Sequence, residues 1–135
     1  MFIFFQPNPL EKQEPNKSVR ADCSVRAVCA ALNISWEESY KQLCDYAAEV
    51  YEMPNGKIGF EHAIQKLGFV IQKMPRIQKG QKRMTVQDFA SKFPEKIAIM
   101  NCAGHYTCVK HGDIYDSWDC GDKPIYSYFE LRKEA

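Results

Sequence analysis

The 135-residue sequence has no apolar run of bilayer length, no excess of either charge, no C-x-x-C pair, no internal repeat and no low-complexity tract. Each absence closes a class of function. A membrane span needs about 20 consecutive apolar residues, so no membrane partner is expected. Eighteen basic residues stand against 17 acidic ones, for a net charge of +1. That balance calls for neither nucleic acid nor an anionic membrane as the main partner. The basic segment carrying Lys73, Arg76, Lys79, Lys82 and Arg83 is accordingly read as a solvated loop. Without a C-x-x-C pair, a zinc ribbon or a thioredoxin-type redox motif is not expected. The apolar start, Met1 to Phe5, is short and lacks the basic front of a secretory signal; it runs straight into Gln6, Pro7, Asn8 and Pro9. A cytoplasmic location is expected, with the six cysteines reduced.

What is present is enough for one compact domain, residues 1–135, with an ordinary 45% of hydrophobic residues. Phe2 to Phe5 reads as an edge strand and Pro7 to Asn16 as a loop. A helix from Asp22 to Asn33 carries Val25, Val28, Cys29 and Leu32 at helical spacing. Its alanines allow close packing on the other sides, so this helix is expected to be central. Ser35 and Glu38 match a capping box, and Trp36, Tyr40, Leu43, Ala47 and Val50 continue a second helix until Pro54-Asn55-Gly56. A third helix is expected over Phe60 to Leu67, with Gly68 closing it. Phe69 to Met74 alternates like a strand, and Thr85 starts a fourth helix through Phe93. Lys96 to Asn101, Tyr106 to Lys110, Asp113 to Ser117 and Ile125 to Leu131 read as strands. His111-Gly112 is the turn of a two-residue hairpin. Helices first and antiparallel strands last give an α+β domain.

The chemistry is carried by a cysteine and a histidine. A nucleophilic thiol must ionise near neutral pH, and a helix N-terminus favours the anion. Cys23 follows the expected cap Asp22 and is the only cysteine so placed. Its base should be a histidine on a facing element. His62 falls in a helix and His111 in a turn, whereas His105 opens a strand after Gly104. With His111-Gly112 as the turn, Thr107 opposes Asp116 and His105 opposes Trp118. All four then share one sheet face, and Asp116 is a diagonal neighbour that can orient the imidazole. Asp119 is the alternative if the strand breaks at Trp118. The N–H of Cys23 is one oxyanion donor, with Asn16 the candidate for the second. Arg26, three residues along the helix, borders the same rim, and a structural ion pair is its preferred reading. Cys102, His105, Cys108 and Cys120 lie close in sequence, but the pairing turns Cys108 away from His105. No metal and no other cofactor is expected.

Asp22-Cys23-Ser24-Val25-Arg26-Ala27, the later Gly104-His105-Tyr106 and the stretch Ile114 to Asp119 together resemble a group of small phage and bacterial proteins with a papain-like fold. Their pattern is a D-C-x-x-R-A helix start and a late G-H strand followed by a D-x-W-D strand. The resemblance implies a nucleophile helix packed on a C-terminal antiparallel sheet that carries the histidine. The C-G-S-C-W signature of papain and cathepsins is absent, and Lys17 stands where their oxyanion glutamine would be.

The reading is therefore a thiol-dependent hydrolase or acyl-transfer enzyme, a cysteine peptidase-like protein, cleaving an amide or isopeptide bond in a protein or peptide. Cys23, His105 and Asp116 form its triad, and it works in the cytoplasm (the host's, if phage-encoded). The alternatives are a glutamine deamidase or transglutaminase-like modifier, and a catalytically retired papain-like binding protein.

Overall fold

The computed structural model describes residues 1–13, 21–75 and 77–132. Along the chain run β1 (Phe2–Phe4), α1 (Pro9–Gln13), α2 (Cys23–Leu32), α3 (Trp36–Ala48), α4 (Lys57–Lys66), β2 (Phe69–Lys73), α5 (Val86–Lys92), β3 (Ile97–Cys102), β4 (His105–Lys110), β5 (Asp113–Asp116) and β6 (Ser127–Leu131). The class is α+β. The six strands form one sheet in the order β1-β5-β4-β3-β6-β2. It is mixed rather than wholly antiparallel, because β1 pairs in parallel with β5. All the helices lie between those two strands in sequence, which supplies the long crossover a parallel pair needs.

Two cores flank the sheet. On one face α2, α3 and α4 bury Val28, Leu43, Phe60 and Ile64 against Ile99, Cys108 and Phe129. On the other, Val86 and Phe89 of α5 cover Ala98, Met100, Val109 and Ile114. The alternation along β3 and β4 sends successive side chains to opposite cores, as strand geometry requires. Helix α2 is central, with Ser24 through Ala31 all buried. Ser39 of α3 donates to the Val25 carbonyl at 2.9 Å, and Lys110 Nζ on β4 donates to the Ala30 carbonyl at 2.7 Å. The first bond fixes α3 on α2; the second ties the last turn of α2 to β4, with the lysine charge favourable at that helix end.

Local chemistry explains most boundaries. Ser35 caps α3 through the Glu38 N–H at 3.1 Å. Thr85 and Asp88 form a reciprocal capping box on α5. His111 and Gly112 both take positive φ, 53° and 83°, as a two-residue hairpin turn with primed geometry demands. Two elements depart from the sequence reading. Helix α4 begins at Lys57, three residues early, with Gly56 at its N-cap. Part of the expected Pro7–Asn16 loop is helical: the Asn8 side chain accepts the Leu10 N–H at 2.9 Å and Pro9 fits the first helical position, where no N–H is needed. Residues 14–20, Asn16 and Lys17 among them, lie outside the described residues.

Candidate active site

Helix α2 packs chiefly on β4 and more lightly on β3 and β5, which brings its first turn to the end of the sheet where β4 starts. A cleft of about 530 Å³ opens there. Cys23, Arg26, Asn101, Cys102, His105 and Trp118 are among its lining residues. The hairpin register is the one the turn implies: Lys110 pairs with Asp113, Val109 with Ile114 and Cys108 with Tyr115. Continuing it sets Thr107 opposite Asp116.

His105 is the hub of the cleft. Its Nε2 meets Asp116 Oδ2 at 2.7 Å, with both side chains buried. That contact leaves Nδ1 uncommitted to Asp116; Cys23 lines the same cleft as the ring. Trp118 packs beside the imidazole with ring centroids 4.8 Å apart. Burial opposes a charged His105, but bonds to Asp116, Cys120 and Cys23 outweigh it and push its pKa up to about 11. Burial likewise raises Cys23, yet the bond from His105, a backbone bond from Tyr106 and the charges of His105 and Arg26 leave it below an ordinary thiol. For Asp116, burial is overcome by the bond and charge of His105 and by the Ser117 N–H, so its pKa is lowered. All three directions favour a thiolate–imidazolium pair steadied by a carboxylate.

The other thiols contrast with Cys23. Burial pushes Cys29 up to about 11, and Cys102 and Cys108 up to about 12. All six cysteines are free. Cys108 sits in the helical core, away from the His105 cleft, as the pairing predicts. The sequence reading weighed Cys120 only as a possible metal ligand and gave it no part in the triad. It is fully buried, and its thiol donates to Asp116 Oδ2 at 3.4 Å. His105, Asp116 and Cys120 hold their ligand atoms within 4.8 Å of one another. The 2.7 Å imidazole–carboxylate contact closes the middle of that group, and Arg26 adds a positive charge beside it, so the geometry suits a proton-sharing cluster better than a cation.

The start of α2 differs in one respect from the expected one. Asp22 occupies the N-cap position, but its side chain makes no capping bond. Its carboxylate instead accepts from Asn8 Nδ2 at 2.9 Å, from Trp36 Nε1 at 3.0 Å and from Arg26 Nη1. The first backbone donor inside the helix is Arg26, to the Asp22 carbonyl at 2.9 Å. The N–H groups of the first turn, that of Cys23 among them, are therefore not taken up by the Asp22 side chain. Arg26 is buried and extends its second nitrogen to Asp116 Oδ1 at 3.4 Å. It is a structural ion pair, and it joins the helix start to the carboxylate behind His105. Its Nε is buried without a partner among the described residues. Asp119 is not an orienting group, since it is exposed and its Oδ1 accepts the Gly121 N–H at 3.0 Å in a local turn. His62 pairs with Glu49 at 2.9 Å, and His111 occupies the hairpin turn, so neither joins the cleft.

Asp22 as a shared acceptor could have been suspected from an i, i+4 Asp–Arg pair on one helix face. The contributions of Asn8, Trp36 and Cys120 had no sequence signal, because each depends on a chain crossing. Comparison of the chain with protein-family models, with curated proteins and with solved structures returned no match.

Proposed function

We propose that the chain is a thiol-dependent hydrolase or acyl-transfer enzyme of papain-like design, acting in the cytoplasm on an amide or isopeptide bond of a protein or peptide. The observation that supports it best is the line Cys23, His105, Asp116. A thiol in the first turn of a buried helix shares a cleft with an imidazole whose Nε2 is held by a carboxylate at 2.7 Å. This is the arrangement nucleophile, base and orienting group require. The Cys23 sulfur attacks the carbonyl carbon. The backbone N–H of Cys23, not capped by the Asp22 side chain, donates to the developing oxyanion. His105, as the imidazolium, passes its proton to the departing amine, leaving an acyl-enzyme. His105 then takes a proton from the acceptor: water completes hydrolysis, an amine completes transfer. Asp116 keeps the proton-bearing Nε2 aimed away from the thiol and stabilises the charged ring.

The test is iodoacetamide labelling near neutral pH, followed by peptide mapping over time. Cys23 should label at least about tenfold faster than Cys29 or Cys102, whose burial disfavours the thiolate. His105→Ala should slow Cys23 and move its labelling to higher pH, because the thiolate loses its counter-ion. Equal rates at the three cysteines, unaffected by the histidine change, would leave the retired binding protein as the better reading.

A further inference from the structure

Strand β2 ends the sheet and pairs with β6 on one side only. The register shows which of its amides are free. The Arg132 N–H donates to the Gly68 carbonyl at 2.9 Å, and bonded pairs alternate along an antiparallel ladder. Val70 and Gln72 therefore bond to Glu130 and Tyr128, their partners in the register. Phe69, Ile71 and Lys73 turn their N–H and C=O groups outward. Among the described residues no strand pairs with that outward row.

The strand runs on into a groove of about 470 Å³, whose walls include Met74 and Pro75, the two residues after Lys73. Ile77, Met84 and Ile125 line it with carbon, and Lys82 and Arg83 with positive charge. Ile77 is exposed, and so is Tyr126, over whose ring the Arg83 guanidinium lies at 4.8 Å. Asp88 also lines the groove, but its carboxylate accepts the Thr85 N–H at 3.0 Å. Among the described residues Lys73, Lys82 and Arg83 enter no ion pair. The other end of β2 differs. Glu130 stands opposite Val70, and it is answered by Lys96 at 2.9 Å and Arg132 at 3.5 Å. Unanswered positive charge is thus gathered at the Lys73 end of the edge. None of the groove residues lines the Cys23 cleft.

We infer that the β2 edge and this groove together form a docking surface for an extended, acidic segment of a partner protein, which adds to the sheet beside β2. The inference is independent of the thiol-enzyme reading. A polypeptide fits because the outward row offers donors and acceptors in turn, which another strand matches with its main chain. Phosphates accept but do not donate, so a nucleic acid leaves the carbonyls of that row unmet. Antiparallel pairing is the more stable, so the segment begins at the Lys73 end. Its first residues are acidic, to meet Lys73, Lys82 and Arg83, with an apolar one among them to fill the carbon-lined groove. Residues of high strand propensity then follow along β2. A second copy of this chain is a poorer occupant, because its own β2 brings no acidic residue.

The probe is the fluorescein-labelled peptide Asp-Leu-Asp-Glu-Thr-Val-Thr-Ile-Thr, titrated with the full chain at low salt and followed by anisotropy. Its Asn-Leu-Asn-Gln counterpart should bind at least about tenfold more weakly, as the loss of two or three charge contacts predicts. N-methylating one alternate set of peptide amides removes the donors that face β2 and should cost at least about tenfold; methylating the other set should cost less than about threefold. In Lys73→Glu/Lys82→Glu the acidic peptide should weaken by at least about tenfold. A Lys-Leu-Lys-Lys counterpart should bind that variant more tightly than it binds the native chain, which also shows the variant folded. By NMR, the peptide should slow amide exchange at Phe69, Ile71 and Lys73 and leave Val70 and Gln72, already bonded to β6, little changed. Absence of binding at about 1 mM peptide, the weakest range of specific contact, would overturn the inference. So would equal binding of the neutral peptide, equal effects of the two methylated sets, or protection at other strands. An oligothymidylate that displaces the acidic peptide and binds more tightly would assign the surface to nucleic acid and overturn it as well.

Discussion

Replacing Arg26 by methionine removes the positive charge from a buried group of three. Arg26, Asp22 and Asp116 are each less than one tenth exposed. Arg26 pairs with Asp22 directly and reaches Asp116 at 3.4 Å. Asp116 keeps His105 as a counter-charge, but among the described residues Asp22 is left with the neutral donors of Asn8 and Trp36. Breaking a buried pair from one side costs about 3–5 kcal/mol, a large part of the roughly 5–15 kcal/mol that holds a domain folded. With a urea slope of about 2 kcal/mol per molar, the midpoint of unfolding should fall by about 2 M. Neutralising the stranded carboxylate should recover part of that loss, so Asp22→Asn/Arg26→Met should be more stable than Arg26→Met alone. A double-mutant cycle by urea denaturation measures the coupling. A loss under about 1 kcal/mol for Arg26→Met, or a double variant that loses the sum of the two single changes, would refute the argument.

Two further outcomes follow from other parts of the fold. In a Cys23→Ala background His105 keeps its bond to Asp116. A histidine whose folded pKa is raised toward about 11 stabilises fully below its unfolded value of about 6.5 and loses that contribution as pH rises through the folded one. The stability gap between Cys23→Ala and Cys23→Ala/His105→Gln should therefore narrow from pH 7 to pH 10, and a constant gap in urea titrations would count against the ion pair. Gly59→Ala meets backbone, since the added Cβ would lie 2.2 Å from the Met53 carbonyl oxygen. It should cost about 1–3 kcal/mol through displacement of the loop before α4; an unchanged melting temperature would show that this loop moves freely.

Where the sequence was legible, the signal was local or periodic. The capping patterns at Ser35 and Thr85 and the hairpin at His111-Gly112 each rest on a few adjacent residues. The hairpin mattered most, because its arithmetic alone carries Asp116 to the neighbourhood of His105. Parallel pairing of β1 with β5 was invisible, since no local feature of Phe2–Phe4 names its partner 112 residues away. The five-residue α1 was hidden because prolines suggest loop first and helix start second. Asp22 misled for a different reason. By type and position it is a helix cap, but three donors from α1's flank, α3 and α2 itself compete for its oxygens. Such competition is decided by tertiary packing.

The long separation between the parts of the cleft has a consequence for the growing chain. Asp116 follows Arg26 by 90 residues, while it follows His105 by only 11. At a synthesis rate of about 5–20 residues per second, the helix bearing the thiol emerges several seconds before the hairpin that would activate it. During that interval Cys23 has neither imidazole nor carboxylate beside it and is an ordinary thiol. On the thiol-enzyme reading proposed above, the charge partners of Cys23 arrive only as the last strands close the sheet, so the unfinished chain carries a thiol without them.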